Sequence, residues 1–300
     1  MWLQIIRYDV AHGIQACLLF EAMNDRGRPV KDFDKVKNHL IYTAYKEKDE
    51  ELADCVNEAW GEVFRNLMTI ENKGFDEEDL LRYHWAVTHG GVDTFNYRVF
   101  KEELSKESDI LKEIRSYTDT IKELSYVLKE ILDPLSEDSF KDWKNQTGLI
   151  EIRDALEGLR RLRSVATFIP LLLASRVAFS RSPATFAHIA RLCEVYAFRV
   201  YKLANRRADT GKTVLYGAAN KFFGLRNTAS HQTDEQIKGD IRKSLESILE
   251  YITYYCDDGQ FSNFLKRKDI YSSQERSWLE GYEVRYLLYE YEKWIRLSRK

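Results

Sequence analysis

A mainly α-helical protein is the fold class that this sequence predicts, and three observations support the prediction. The chain has 300 residues with only 4 prolines and 14 glycines, so few residues interrupt a helix. Apolar residues recur every three or four positions over most of the chain, which is the period of a helix with one buried face. Hydrophobic residues make up 44% of the sequence, which is enough for a sizeable core. We therefore predict a bundle-like domain of many helices, preceded by a short N-terminal strand–helix–helix segment.

The N-terminal segment contains the one convincing strand, residues 2–8 (WLQIIRY). Apolar residues at helical spacing then predict a helix that ends in the turn 24–27 (NDRG), because Asn, Asp and Gly favour turn conformations. Asp32 is the predicted cap of the second helix. The predicted core face of that helix consists of Phe33, Val36, Leu40, Ile41 and Ala44.

From Lys46 onward the pattern predicts helices throughout. Asp76 is the predicted cap of one of them, Pro170 is expected to bend or divide another, and residues 257–259 (DDG) are expected to form a turn. The predicted helices cover residues 52–67, 77–89, 108–132, 149–180 (as one kinked helix or two), 183–203, 213–223, 237–252 and 273–296.

Charge excludes a global attraction to nucleic acid, since 46 basic and 48 acidic residues leave a net charge of -2. Basic side chains nevertheless cluster on two predicted helical faces, where they could hold duplex phosphates. An ion-paired, solvated surface is the alternative, because acidic residues interleave with the first cluster. The candidate DNA contacts are Arg160, Arg161, Arg163, Arg206 and Arg207.

The four cysteines form no C-x-x-C pair, which predicts reduced core residues in a cytoplasmic protein rather than a zinc site. His84 and His89 are five residues apart, so one helix face would not bring both to a metal. The longest apolar run, 168–174, is too short to span a membrane, and no signal peptide is evident.

Two short motifs suggest nucleotide or RNA chemistry. Gly211-Lys212-Thr213 ends like a P-loop, but Arg206 occupies the position of the first glycine, so we reject that interpretation. The segment 226–231 (RNTASH) is similar to the R-x-x-x-x-H line of HEPN-type ribonucleases. That resemblance implies metal-independent RNA cleavage, with His231 as general acid or base and Arg226 on the phosphate. A loop histidine beside a surface arginine is the alternative.

A longer sequence motif resembles the end of the ParB/sulfiredoxin-like domain of GmrSD-type restriction enzymes. The motif is Phe20-x-x-x-Asn24-x-Arg26-Gly27, followed by Asp34-x-x-Lys37-Asn38. Residues 282–292 (YEVRYLLYEYE) are similar to the last helix before the nuclease domain of that family. The family's D-G-Q-Q-R line and its HNH nuclease residues are absent, so we expect a middle piece of such an enzyme, inactive alone.

The resemblance implies two domains, namely the end of a ParB-like domain at 1–45 and a helical middle domain at 46–300. It also implies an NTP with Mg²⁺ as cofactor, bound near Asn24, Arg26 and Gly27. The family acts on modified phage DNA, so the expected partners are DNA and either the missing domains or a chain that carries them; no membrane partner is expected. A helical binding or adaptor module is the alternative from another class.

Overall fold

A computed structural model shows the fold and describes residues 13–24, 30–70, 73–91, 95–226, 234–266 and 281–298. Within these ranges the chain is mainly helical and contains no strand, which confirms the predicted fold class. The strand predicted at residues 2–8 lies outside the described residues.

Packing divides the chain into two units, Met1–His84 with Thr94–Tyr126, and Trp85–Asp93 with Val127–Lys300. The first unit contains α1 (Gly13–Asn24), α2 (Asp32–Lys46), α3 (Glu50–Met68), most of α4 (Glu77–His89), α5 (Tyr97–Leu104) and the first part of α6 (Ile110–Leu132). The second unit contains the ends of α4 and α6, then α7 (Leu149–Arg161), α8 (Ile169–Ala178), α9 (Pro183–Tyr196), α10 (Lys212–Leu225), α11 (Asp234–Cys256), α12 (Asp258–Lys266) and α13 (Gly281–Ser298).

Helices α2 and α3 pack together in the first unit, and the domain boundary predicted after residue 45 falls at the last residue of α2. That boundary stays a prediction. One face of α3 is buried, and the Trp60 indole on that face lies 5.5 Å from the Phe33 ring and donates a hydrogen bond to the Phe33 carbonyl at 3.4 Å. Aromatic contact between the two helices therefore forms part of this core.

The start of α2 differs from the prediction. Lys31, not Asp32, is the N-cap residue, and its side chain makes no capping hydrogen bond. The Glu78 carboxylate of α4 instead accepts a hydrogen bond from the Phe33 amide at 3.0 Å, so a neighbouring helix satisfies this helix end. The predicted cap at Asp76 is confirmed, since its carboxylate accepts from the Glu78 and Asp79 amides.

Two helices, not one kinked helix, occupy residues 149–180. Pro170 lies in the first turn of α8, where its missing N–H costs no helical hydrogen bond. Every residue of α8 from Ile169 to Arg176 is buried, so α8 is the central helix of the second unit. Helix α10 packs on α8, and α7 packs on α9.

The turn predicted at residues 257–259 is wrong, because α12 begins there. The Asp257 carboxylate accepts a hydrogen bond from the Gln260 amide at 2.7 Å, and the Gln260 side chain accepts one from the Asp257 amide at 3.0 Å. This reciprocal pair is a capping box, so the same polar residues that favour a turn start a helix here.

The helix predicted over residues 183–203 differs in its last part. Helix α9 ends at Tyr196, and Ala197–Leu203 continues it as a π-helix.

A buried ion pair lies at the centre of the second unit. Arg176 of α8 donates from Nε to the Glu130 carboxylate at 2.9 Å and from Nη2 to Asp142 at 2.7 Å, and its guanidinium lies 3.9 Å from the Trp143 ring. The second Glu130 oxygen accepts from the Phe140 amide at 2.7 Å. Burial raises the pKa of Glu130 although Arg176 favours its charged form.

We predict that Arg176→Ala lowers the free energy of unfolding by about 3–5 kcal/mol, because it leaves Glu130 buried without its cation. Urea unfolding followed by circular dichroism measures the loss. Arg98→Ala, which breaks an exposed pair with Glu102, is the matched control and should cost less than about 1 kcal/mol. Equal losses in the two variants would contradict a special role for the buried pair.

A second buried carboxylate, Glu194 of α9, has 0% exposure. It accepts hydrogen bonds from Arg191 Nη1 at 2.5 Å and from the Tyr286 hydroxyl of α13 at 2.8 Å. Burial is the main cause that raises its pKa to about 7, with a smaller contribution from Glu290. Gly158 of α7 makes room for this side chain, since a Cβ there would lie 1.9 Å from Glu194 Oε1.

We predict that Glu194 makes the protein less stable as pH rises from about 4.5 to about 7, because the unfolded chain releases this proton while the folded protein keeps it. The loss in unfolding free energy should reach up to about 3 kcal/mol for this group alone. Glu194→Gln should remove this part of the pH dependence, as measured by urea unfolding at about pH 5 and about pH 8. Parallel pH profiles for the two proteins would refute the assignment.

Candidate nucleic-acid interface

Two loops of the second unit, residues 162–168 after α7 and 204–211 before α10, carry three of the predicted DNA-contact residues. We call them the arginine loops. The Thr167 hydroxyl in the first loop donates a hydrogen bond to the Ala208 carbonyl in the second, at 2.8 Å. This bond brings the loop with Arg163 next to the loop with Arg206 and Arg207, although the two segments are about forty residues apart in sequence.

The first arginine loop contains a left-handed residue, Arg163, at φ 51°. The Arg163 amide donates to the Arg160 carbonyl at 3.0 Å and the Ser164 amide donates to the Leu159 carbonyl at 3.2 Å. These two bonds form a Schellman motif, in which glycine is the usual residue at the left-handed position. An arginine there costs free energy that glycine would not, which favours a role for the side chain.

The second arginine loop also contains a residue in the left-handed conformation. Asn205, at φ 49°, follows the π-helical stretch, and asparagine tolerates this conformation better than most residues. The Arg206 guanidinium lies 4.9 Å from the Tyr255 ring, and Arg207 pairs with Asp209 at 3.0 Å. Both arginines are exposed, so a phosphate could approach them, while Asp209 lowers the local positive charge.

The other two candidates lie on the last turn of α7. Arg160 is exposed and pairs with Glu157 at 2.6 Å. The Arg161 guanidinium lies 3.8 Å from the Tyr289 ring of α13, and its Nη1 is buried without a hydrogen-bond partner among the described residues. Arg161 would have to leave that stacked position to reach a phosphate, so the loop arginines are better placed than Arg161.

The chemistry available at the arginine loops is electrostatic. Guanidinium groups bind phosphate oxygens with charge-assisted hydrogen bonds, and such contacts position a duplex without reading its sequence.

No group of three or more His, Cys, Asp or Glu side chains is placed to hold a metal in the part of the chain that the structure describes. His84 is buried, and its ring is hydrogen-bonded to the Thr120 hydroxyl at 2.9 Å.

The remaining sequence predictions fall largely outside the described ranges. Arg26, Gly27 and His231 are among the residues that the structure does not describe, and Asn24 ends α1 without a described side chain. The Arg226 guanidinium lies 4.5 Å from the Phe223 ring at the end of α10. The nucleotide site and the ribonuclease motif therefore stay predictions.

Three of the four cysteines, Cys17, Cys193 and Cys256, are buried and all four are free thiols, which agrees with their predicted role in the core. Cys55 is exposed. Among the described helices, none combines the length and the apolar content that crossing a membrane requires.

Two features of this unit had no clear signal in the sequence. The contact between the arginine loops depends on one side-chain bond to a carbonyl, which no residue pattern encodes. The buried Glu194 had a weak signal in Gly158, because a glycine inside a helix often marks a close approach of another group.

Comparison of the chain with protein-family models, with curated proteins and with solved structures finds no match.

Proposed function

We propose that this chain is the helical middle part of a GmrSD-type, NTP-dependent, modification-sensing restriction endonuclease of phage defence, and that it contributes a sequence-independent contact with duplex DNA. The observation that carries the DNA contact is the hydrogen bond from Thr167 to the Ala208 carbonyl, which places the loop that contains Arg163 beside the loop that contains Arg206 and Arg207. The resemblance at residues 20–38 supports the family.

Three arginines on two adjacent loops suit this role because the phosphate backbone supplies most of the affinity in non-specific DNA binding. Their placement on loops leaves the side chains able to follow a groove edge, and the strained backbone of Arg163 holds one of them there at a cost in stability. With a net charge of -2 for the whole chain, such a local cluster is the kind of surface that binding requires.

We predict that replacing the three loop arginines (Arg163→Gly, Arg206→Ala, Arg207→Ala) weakens duplex binding and reduces its dependence on salt. Each lost phosphate contact should lower the slope of log K against log salt by about 0.9, so the triple variant should lose up to about 2.7. Fluorescence anisotropy with a labelled duplex of arbitrary sequence, across a salt series, measures both effects. Glycine is chosen at residue 163 because it adopts the left-handed conformation without strain.

The matched control replaces three exposed arginines elsewhere, namely Arg98, Arg181 and Arg242, by alanine and so removes the same charge. It should retain most of the salt slope. An equal loss in the control, or no duplex binding by the unchanged protein, would overturn the DNA role.

The nucleotide part of the proposal rests on Asn24, Arg26 and Gly27, which match the family's line at the edge of its nucleotide pocket. A Mg²⁺-bound NTP would supply the charged phosphates there. The Gly27 amide and the Asn24 side chain suit phosphate contact, and Arg26 adds positive charge.

We predict that Asn24→Ala weakens binding of a fluorescent NTP analogue in the presence of Mg²⁺ at least about tenfold, because a bond to a charged phosphate is lost. Equilibrium titration measures the change, and Asn263→Ala on the exposed face of α12 is the control. Unchanged binding in the Asn24 variant would remove this residue from the site. RNA cleavage that disappears in His231→Ala would instead favour the HEPN-type ribonuclease.

A further inference from the structure

Helix α13 presents its polar side to the rest of the second unit. The Tyr286 hydroxyl donates to the buried Glu194 carboxylate at 2.8 Å, Glu290 pairs with Arg191 at 3.0 Å, and Lys293 pairs with Asp154. The inner face of this helix is therefore attached by hydrogen bonds and ion pairs, together with the contact between the Tyr286 and Phe198 rings, whose centroids lie 4.8 Å apart.

The outer side of α13 is apolar. Leu288, Tyr291 and Trp294 are 55%, 56% and 62% exposed, which is high for side chains of this size. Val284, Leu287 and Ile295 are half-buried and lie on the same side at spacings of three and four residues. A helix of a globular protein normally turns such a stripe toward a core, and a contiguous exposed stripe marks a surface for protein contact.

The two edges of this stripe differ. Arg285 and Glu292 are exposed along one edge, seven residues apart, whereas Leu287 and Trp294 lie along the other. In a parallel helix pair the charged edge would face the apolar edge of its partner. In an antiparallel pair each edge faces its own counterpart, so charge meets opposite charge and apolar side chains meet apolar ones.

One antiparallel register satisfies all of these positions together. When Leu288 packs opposite Tyr291 of a second copy, Val284 packs opposite Ile295 of that copy. The same register places Arg285 opposite Glu292 on the charged edge, and places Leu287 opposite Trp294 on the apolar edge. The two-fold axis repeats every pair, as an isologous contact between identical chains requires.

We propose that α13 is a homodimer interface, in which the helix pairs antiparallel with α13 of a second copy in this register. Its 18 residues span about 27 Å, so one helix from each copy gives a contact at the small end of specific interfaces. We therefore expect the dissociation constant of the dimer to lie in the micromolar range. This proposal is independent of the DNA and nucleotide roles.

Sedimentation velocity of the full chain over a concentration series tests the interface. The unchanged protein should dimerise with a micromolar dissociation constant, and Arg285→Glu should raise that constant about tenfold or more, because each dimer gains two pairs of like charges. Glu292→Arg should do the same. The double variant Arg285→Glu with Glu292→Arg restores opposite charges and should return to within about threefold of the unchanged protein.

Arg98→Glu, on the exposed face of α5, is the control for charge change and should leave the dissociation constant unaltered. Circular dichroism confirms that each variant retains its helices. Trp294→Ser should weaken dimerisation with or without the charge swap, because it removes the most exposed apolar side chain of the stripe. A protein that stays monomeric at about 200 µM, or a double variant no better than the singles, would overturn the proposal and assign the stripe to a different partner.

Discussion

Two buried carboxylates, each held by an arginine, determine how the second unit is assembled. Glu130 with Arg176 joins α6 to α8, and Glu194 with Arg191 and Tyr286 joins α9 to α13. A charge removed from water costs several kcal/mol unless it is paired and hydrogen-bonded, so each carboxylate fixes the position of the group that compensates it. Apolar side chains tolerate small shifts, whereas these polar contacts require definite distances and directions. Buried polar contacts therefore act together with apolar packing in holding α6 to α8 and α9 to α13.

The way that α13 is attached has a consequence for its outer surface. Tyr286, Glu290 and Lys293 satisfy polar groups of α7 and α9, and Leu288, Tyr291 and Trp294 on the other side of the same helix are exposed to solvent. Amphipathic helices usually have the opposite arrangement. An inverted helix of this kind is soluble at low concentration but gains free energy when its stripe is covered, which is the physical basis for association through this face.

Each of the two arginine loops contains a residue in a left-handed backbone conformation, which costs free energy. Arg163 and Asn205 both adopt positive φ directly after a helix, so each loop turns sharply and exposes the arginines beside it. The Thr167–Ala208 bond then holds one loop against the other. A cluster of like charges on the surface is mildly unfavourable by itself, and binding of a polyanion would relieve that repulsion. The same positive charges therefore lower the stability of this region and favour its proposed binding of phosphate.

The sequence by itself determined the helical fold class, most helix positions and the cap at Asp76, because helical periodicity and capping depend on neighbours along the chain. It misassigned residues 257–259, where the same local signals suit both a turn and a capping box, and it placed the α2 cap one residue late because a carboxylate from another helix satisfies that end. Only the tertiary structure decided which arginine-containing loops lie side by side, which carboxylates are buried, and which side of α13 is most exposed. Those outcomes depend on contacts between segments far apart in sequence, and no local pattern specifies the direction from which a distant partner approaches.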